Sequence, residues 1–212
     1  MTHVRTCILG PATRNALLWR VPGQRHASQG LNTRFVETID IFPTIVELVG
    51  LQSLPTCAGI DQPPTTLCVQ GESYAAEFLP PRSTSESAPP PSASATASTP
   101  ATATATATTV SSPSPPSPKQ YAFSQWPFPA WGNETQYRQG YTVRSTTGYR
   151  YTTYVPYNLT SFRGDWSAPL GDEELYDYTR DKWETTNWAR AGNYSAVLAE
   201  LRQVLRQQYT RD

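Results

Sequence analysis

Histidine is nearly absent from this chain, which has only His3 and His26, both near its start and far from any acidic cluster. The strings HExxH, CxxC, GxxxxGK[ST] and GxSxG are absent as well. These strings are typical of zinc proteases, dithiol redox proteins, P-loop nucleotide-binding proteins and serine hydrolases. The sequence therefore gives no support to any of these four classes of site.

The chain also lacks an excess of charge of either sign and any long apolar run. Its 17 basic and 17 acidic residues cancel, so no global field favours nucleic acid or an anionic membrane as a partner. No run approaches the roughly 18 apolar residues of a membrane span. The first residues contain no apolar stretch long enough for the core of a signal peptide.

Two features nevertheless indicate an oxidising compartment. Cys57 and Cys68 lie close together in a Pro-rich loop, as the partners of a short disulfide would, which leaves Cys7 free. Three N-glycosylation sequons are present, at Asn133, Asn158 and Asn193. We therefore expect the full-length protein in the secretory pathway, lysosomal or extracellular, with an amino-terminal portion that carries the signal peptide missing here. A cytosolic protein with free thiols is the alternative.

An abrupt change of composition divides the chain. No charged residue occurs between Glu86 and Lys119, where Pro, Ser, Thr and Ala dominate. Such a segment cannot offset the cost of ordering its backbone, so it is predicted to be disordered. It is either a tolerated surface-loop insertion or a spacer that carries O-linked sugars. We divide the chain into the end of a large α/β domain (1–51), a disulfide-stapled loop with a short helix (52–81), the insert (82–118) and a small α+β subdomain (119–212).

The first half has few regular elements. An apolar run at 15–21 predicts a buried strand, and residues 72–79 predict two helical turns. Residues 40–49 predict a helix that Asp40 caps and Gly50 ends. Its apolar face is expected to pack against a sheet. That face consists of Ile41, Phe42, Ile45, Val46, Leu48 and Val49.

The last segment predicts an antiparallel sheet covered by one helix. Residues 121–125 form a strand that the following Trp-Pro-Phe-Pro series should stop. Residues 141–145 and 149–155 alternate around a short turn and predict a hairpin, and 174–178 predict another strand. Residues 193–209 predict an amphipathic helix. Its apolar stripe contains Tyr194, Val197, Leu198, Leu201, Val204 and Leu205.

Two groups of charged residues could bind ions. An acidic run at 172–177 could attract a metal, but neighbouring strand positions point to opposite faces, which favours a solvated turn. Arg144 and Arg150 flank the hairpin turn, and an arginine fork can hold a sulfate or carboxylate. Salt bridges, or stacking against Tyr141, Tyr149 and Tyr151, explain the two arginines equally well.

A series of phrases in fixed order resembles the carboxyl-terminal part of the type I sulfatases, most closely the iduronate-2-sulfatases. The resemblance covers nearly all of the chain outside the first dozen residues and the insert. The phrases are LLWRVPG (17–23), DIFPT (40–44), PTC (55–57), LC (67–68), SQ (124–125), GYTVR (140–144), YRYT (149–152) and ELYD (174–177), followed by Asp181 and Asn187.

The resemblance implies an alkaline-phosphatase-like α/β fold, and hydrolysis of sulfate esters on sulfated carbohydrates with calcium and a formylglycine made from cysteine. The phrases that would supply that nucleophile and metal site have no counterpart here, so we expect neither catalytic nor metal-binding residues nor a cofactor in this chain alone. In a complete enzyme, Gln125, Trp126, Arg144 and Arg150 could at most line the substrate entrance.

Three hypotheses about function follow. The first is a carboxyl-terminal sulfatase fragment that is inactive alone and meets a sulfated carbohydrate only with the missing region. The second is a secreted carbohydrate-binding or adhesive module, suggested by Trp126, Trp131, Trp166 and the Thr/Pro-rich insert. The third is a cytosolic interaction protein without ligand chemistry.

Overall fold

A five-stranded antiparallel sheet, crossed on one face by a long helix, organises the second half of the chain. The computed structural model describes residues 13, 15–22, 32–57, 67–78, 118–129 and 137–210. Cys7, Asn133, Trp131 and the insert up to residue 117 lie outside this range. The elements are α1 (Thr38–Leu48), β1 (Tyr121–Pro129), β2 (Tyr137–Ser145), β3 (Tyr149–Asn158), β4 (Arg163–Gly164), β5 (Glu173–Asp177) and α2 (Ser195–Tyr209).

Strand β1 is longer than predicted, because it continues through Pro127 and Pro129. Among the described residues it pairs with β2 alone, with Pro127 opposite Gln139 and Pro129 opposite Tyr137. Proline lacks a backbone donor, and an edge strand tolerates it where the missing N–H would face away from the neighbouring strand. The prediction that this series stops the strand was wrong, since an edge position removes the penalty.

The predicted hairpin is confirmed and forms the centre of the sheet. Strands β2 and β3 pair antiparallel, with Arg144 opposite Arg150, around a turn in which Gly148 has φ +96°. That angle lies in the region that favours glycine. The other edge of β3 pairs with β5 near its start and with the two residues of β4 near its end. The predicted strand at 174–178 is therefore β5, one residue earlier.

Helix α2 covers one face of the sheet with the predicted stripe. Tyr194, which precedes the helix in a 3₁₀ turn, and Leu198, Leu201 and Leu205 are buried. Val197 and Val204 pack partly buried beside them. The sheet contributes Val143, Tyr151, Val155 and Leu175 to the same core. Burying each leucine contributes roughly 1.5–3 kcal/mol, so this contact stabilises the second half of the chain.

Helix α1 does not bury the face that its sequence predicts. Glu37 is the N-cap, and Asp40 lies in the first turn, where its Oδ2 accepts the Glu37 backbone N–H at 2.8 Å. Asp40 and Thr44 are buried, whereas Phe42 is 53% and Val49 is 62% exposed. The helix packs through its polar side onto 71–77, because the backbone N–H groups of Glu72 and Tyr74 donate to Asp40 Oδ1 and Thr44 Oγ1. Val46 is the only member of the predicted apolar face that is buried, and the expected packing of that face against a sheet is wrong for the described residues.

Residues 15–22 have no regular structure, although a buried strand was predicted there. Leu18 is 92% exposed, and none of the described strands pairs with this segment. Trp19 instead packs against Tyr74 and Phe78, with ring centroids 5.8 and 5.7 Å away. The two helical turns predicted at 72–79 are reduced to one 3₁₀ turn, Ala75–Glu77.

A charged cluster joins the two halves of the chain on either side of the insert. Lys119 Nζ donates to both Asp40 carboxylate oxygens at 2.8 Å and to Glu37 Oε2 at 2.6 Å. Glu37 Oε1 also accepts the backbone N–H of Phe123 at 2.9 Å. Burial lowers the pKa of Lys119, but the bonds to Asp40 and Glu37 outweigh burial and raise it. The start of α1 is thus fixed to the start of β1.

Candidate functional site

The sheet places three of the four residues predicted at a substrate entrance on one face and the fourth on the other. Successive strand residues point to opposite faces, so the face opposite α2 carries Trp126, Arg144 and Arg150, whereas Gln125 is directed to the α2 side. Arg144 and Arg150 are direct partners across β2 and β3. Trp126 lies opposite Gly140, four residues from Arg144, or about 13 Å along the strand.

Arg150 is completely buried and is held in an ion pair with Glu184. Its Nε and Nη2 donate to Glu184 Oε1 and Oε2, each at 2.6 Å, and its Nη1 donates to Thr152 Oγ1 at 3.0 Å. Tyr178 donates its hydroxyl to the same glutamate. The Tyr176 ring centroid is 5.0 Å from the guanidinium carbon. The structure therefore supports the salt-bridge interpretation of Arg150.

Arg144 stacks on an aromatic ring. Its guanidinium carbon is 3.6 Å from the centroid of the Tyr178 ring, a cation–π geometry. Its Nη1 is buried and has no hydrogen-bond partner among the described residues. The sequence predicted stacking against Tyr141, Tyr149 or Tyr151, but Tyr178 fills that role because the chain turns back over the sheet after β5. The guanidinium of Arg144 is thus stacked on a ring, and its buried Nη1 donor has no acceptor among the described residues.

Glu184 was not among the residues predicted from the sequence. It bonds Arg150 directly and accepts the hydroxyl of Tyr178, whose ring stacks against Arg144. Its φ of +58° places it in the left-handed region, which costs a residue other than glycine about 1–2 kcal/mol. The gain from bonding a buried guanidinium offsets that cost. No sequence signal indicated this pair, since Glu184 is 34 residues from Arg150 in an irregular segment.

Three buried tyrosines of the described residues have raised pKa values. Burial raises the pKa of Tyr176 to about 12, and burial together with the bond to Glu184 raises the pKa of Tyr178 to about 12. Burial raises the pKa of Tyr141 to about 12 as well. A general base works best with a pKa near the operating pH. These tyrosines move away from that range and stay protonated at neutral pH.

The acidic run does not converge on one point. Glu173 bonds Arg202 of α2, while Glu174 lies on the other face of β5. Asp177 is buried and accepts hydrogen bonds from Thr179 and the Tyr194 hydroxyl. Burial raises its pKa, but these bonds outweigh burial and lower it. No group of three potential metal ligands occurs in the described part of the chain. Glu173 and Asp177 thus connect β5 to α2, to Thr179 and to the turn before α2.

The structure also describes the two paired cysteines and two of the three sequon asparagines. Cys57 and Cys68 are bonded, with an S–S distance of 2.02 Å, and a parallel bridge joins the neighbouring Thr56 and Val69. Asn158 and Asn193 are exposed. In the described ranges, no helix is both long and apolar enough to cross a membrane.

Comparison with known proteins found distant likeness to solved structures. No family model matches the chain, and no curated protein is similar to it. Among solved structures, BT4656 in complex with its substrate D-glucosamine-2-N,6-O-disulfate matches over 80% of this chain, with 17% identity and a TM-score of 0.38. The chain spans about a quarter of that protein, 24% of its length. At this level of likeness, an assignment of function depends on the residues themselves.

Proposed function

We propose that this chain is the carboxyl-terminal part of a sulfuric ester hydrolase of the type I sulfatase family, closest to the iduronate-2-sulfatases. Its substrate class is a sulfated glycan, and the chain alone is inactive. In the complete enzyme, calcium and a formylglycine belong to the missing amino-terminal region. When present, that calcium would stabilise developing negative charge, and the formylglycine would supply the nucleophile.

The ordered series of family phrases is the observation that carries the proposal. The same phrases occupy positions that determine the fold. DIFPT (40–44) includes Asp40 and Thr44, the two buried polar residues through which α1 contacts the next segment. GYTVR (140–144) and YRYT (149–152) form the paired centre of β2 and β3. ELYD (174–177) lies within β5, next to β3.

The contribution of this chain to such an enzyme is to shape the rim of a substrate site. Arg144 is the side chain best suited to an anionic sugar, because it is partly exposed and one of its buried nitrogens is unpartnered within the described ranges. Trp126 is 43% exposed on the same face and could stack on a sugar ring. Arg150 is committed to Glu184, so its role is to hold the segment that carries Tyr178 beneath Arg144.

A secreted carbohydrate-binding module is the second candidate. It requires several aromatic rings on one exposed sheet face. Trp126 is exposed on such a face, but Trp166 is buried against Tyr141 and Tyr209 beneath α2. Trp131 lies outside the described residues. Of the three tryptophans that suggested this hypothesis, only Trp126 is exposed within the described residues, which gives the hypothesis less support than the ordered phrases give the first.

The activity test compares the 212-residue chain with a two-part enzyme. The purified chain should not hydrolyse a chromogenic aryl sulfate, with or without calcium. Fusion to a sulfatase amino-terminal region that contains the modified cysteine should produce turnover. In the fused enzyme, Arg144→Ala should raise KM for a sulfated disaccharide, whereas Arg180→Ala serves as an exposed control. Turnover by the chain alone that survives substitution of all three cysteines would show that the proposal is wrong.

A binding measurement separates the two candidates. A carbohydrate-binding module should bind neutral and sulfated oligosaccharides as the isolated chain, and Trp126→Ala should abolish that binding. The sulfatase proposal expects no measurable binding of a neutral oligosaccharide by the chain alone. The nucleotide sequence upstream of the present start gives an independent check, since the proposal expects an open frame that encodes Cys-x-Pro-Ser-Arg.

A further inference from the structure

The hairpin between β3 and β4 presents a sequon in an ordered turn. Asn158 is paired with Arg163 at its base. The Oδ1 of Asn158 accepts the backbone N–H of Thr160 at 2.8 Å and that of Ser161 at 3.0 Å, which forms an Asx turn. Its Nδ2 makes no hydrogen bond within the part of the chain that is described. The atom to which an N-linked sugar attaches is therefore exposed and unencumbered.

The same turn exposes two large apolar side chains. Phe162 is 73% and Leu159 is 49% exposed. Phe162 also has φ +55°, an uncommon conformation for a bulky residue. Single exposed apolar residues need no explanation, but two of them on a four-residue tip, one with an unfavourable backbone, form a small apolar surface. Both side chains are therefore largely open to solvent in the described part of the chain.

The other described sequon has a different environment. Asn193 lies in the 3₁₀ turn Gly192–Tyr194, and Ser195 is the first residue of α2. Tyr194, the middle residue of that sequon, is buried and bonded to Asp177 at 3.0 Å. This tripeptide is therefore part of the core contact of α2, whereas the tripeptide at Asn158 belongs wholly to a surface turn.

We propose that Asn158 carries an N-linked glycan and that this glycan covers Leu159 and Phe162. The co-substrate is an oligosaccharide joined to a lipid diphosphate, and the transferring enzyme belongs to the secretory pathway. The Nδ2 of Asn158 forms a bond to the anomeric carbon of the first sugar, and the bond from that carbon to the diphosphate oxygen breaks. The proton leaves Nδ2 for a base of the transferase, and the lipid diphosphate departs. The modification requires passage through the secretory pathway and does not depend on sulfate-ester hydrolysis.

The test uses the full chain behind a cleavable secretion leader, translated in the presence of microsomes and, separately, secreted from eukaryotic cells. Removal of N-glycans with a peptide-N-glycosidase in heavy-oxygen water marks each occupied asparagine for peptide mass spectrometry. This treatment leaves O-linked sugars on the insert untouched. We expect the label at Asn158. Asn158→Gln and Thr160→Ala should each remove one glycan, while Thr160→Ser should retain it.

Microsomal translation reports the modification even for variants that do not fold or leave the cell. An unmodified Asn158 in translocated protein overturns the proposal, whatever the occupancy of Asn133 or Asn193. If Cys57 and Cys68 are bonded in the same material while Asn158 is unmodified, the compartment is correct and the glycan assignment is wrong.

A separate measurement tests whether the glycan covers Leu159 and Phe162. Enzymatic removal of the glycan should increase binding of a hydrophobic dye and promote association of the secreted protein. The double substitution Leu159→Ser and Phe162→Gly should cancel that increase, and glycine also suits the backbone at 162. Equal dye binding before and after deglycosylation would contradict the covering role. Asn193→Gln is the matched control, and it should leave dye binding at the tip unchanged.

Discussion

Arg150 and Glu184 form a buried, two-pronged ion pair, with both nitrogen–oxygen distances at 2.6 Å. Their side chains are 1% and 2% exposed. The pair fixes the segment after β5 across the sheet face opposite α2. It thereby determines where Tyr178 lies beneath Arg144. A residue 34 positions away thus decides the geometry of the proposed rim.

The first prediction concerns the stability that this pair maintains. Glu184→Gln should lower the free energy of unfolding by about 3–5 kcal/mol, because it leaves a buried guanidinium without its counter-charge. Replacing both partners with apolar residues, Arg150→Met with Glu184→Leu, should restore most of the loss. Urea unfolding followed by tryptophan fluorescence measures both. Arg180→Ala is the control, since that side chain is 67% exposed and 3.8 Å from Asp177. A double variant as unstable as Glu184→Gln would contradict this interpretation.

The second prediction concerns acid sensitivity at the contact between β5 and α2. Glu173 accepts from Arg202 at 2.6 and 2.5 Å and from the Tyr151 hydroxyl at 2.5 Å. Burial raises its pKa, but these bonds outweigh burial and lower it below the ordinary 4.5. A lowered folded pKa stabilises the protein fully above that ordinary value, and the contribution is lost as pH falls through the folded pKa.

The free energy of unfolding should therefore decline as the pH is lowered from about 5, just above the ordinary pKa, toward 3. Arg202→Gln should reduce the steepness of that decline, because it removes the main bond that lowers the Glu173 pKa. Arg206→Gln, one turn further along α2, should leave it unchanged. Unfolding curves at a series of pH values supply the measurement. Parallel profiles for the Arg202 variant and the parent chain would exclude this role for Glu173.

The third prediction concerns the disulfide. Cys57 and Cys68 enclose a short loop, and in the chain-entropy model their bond stabilises the folded state by about 3 kcal/mol. Replacing both with serine should lower the melting temperature, whereas Cys7→Ser should have no effect. Mass spectrometry of an unreduced digest should find the 57–68 bridge with Cys7 free. A bridge that contains Cys7, or three free thiols in secreted material, is the contrary outcome.

The fourth prediction concerns the exposed side of α1. Phe42 is 53% and Ile45 is 44% exposed, and Val49 continues the same apolar surface. The isolated chain should therefore bind a hydrophobic dye and associate. Phe42→Ser with Ile45→Asn should reduce both, whereas Trp183→Ser, at an exposed tryptophan outside α1, should not. Light scattering and dye fluorescence decide this, and a monodisperse parent chain without dye binding would contradict it.

The sequence by itself determined the elements whose pattern is local. The alternation around Gly148 predicted the hairpin, and the stripe along 193–209 predicted the face of α2 that is buried. Both succeed because a strand repeats every two residues and a helix every 3.6, so one face is defined before any partner is known. The disulfide between Cys57 and Cys68 was predictable for the same reason, since its partners are close in the chain.

Tertiary structure alone decided which neighbours the remaining groups meet. Pro127 and Pro129 belong to a strand because β1 lies at the edge of the sheet, and a strand's place in a sheet is not encoded in its own residues. α1 buries Asp40 and Thr44 because Lys119 and the backbone of 72–74 supply their hydrogen-bond partners. Arg150 is buried in an ion pair because Glu184 contacts it from a segment 34 residues away. The energy of a buried polar group depends on its partner, and the partner is known only once the chain has folded.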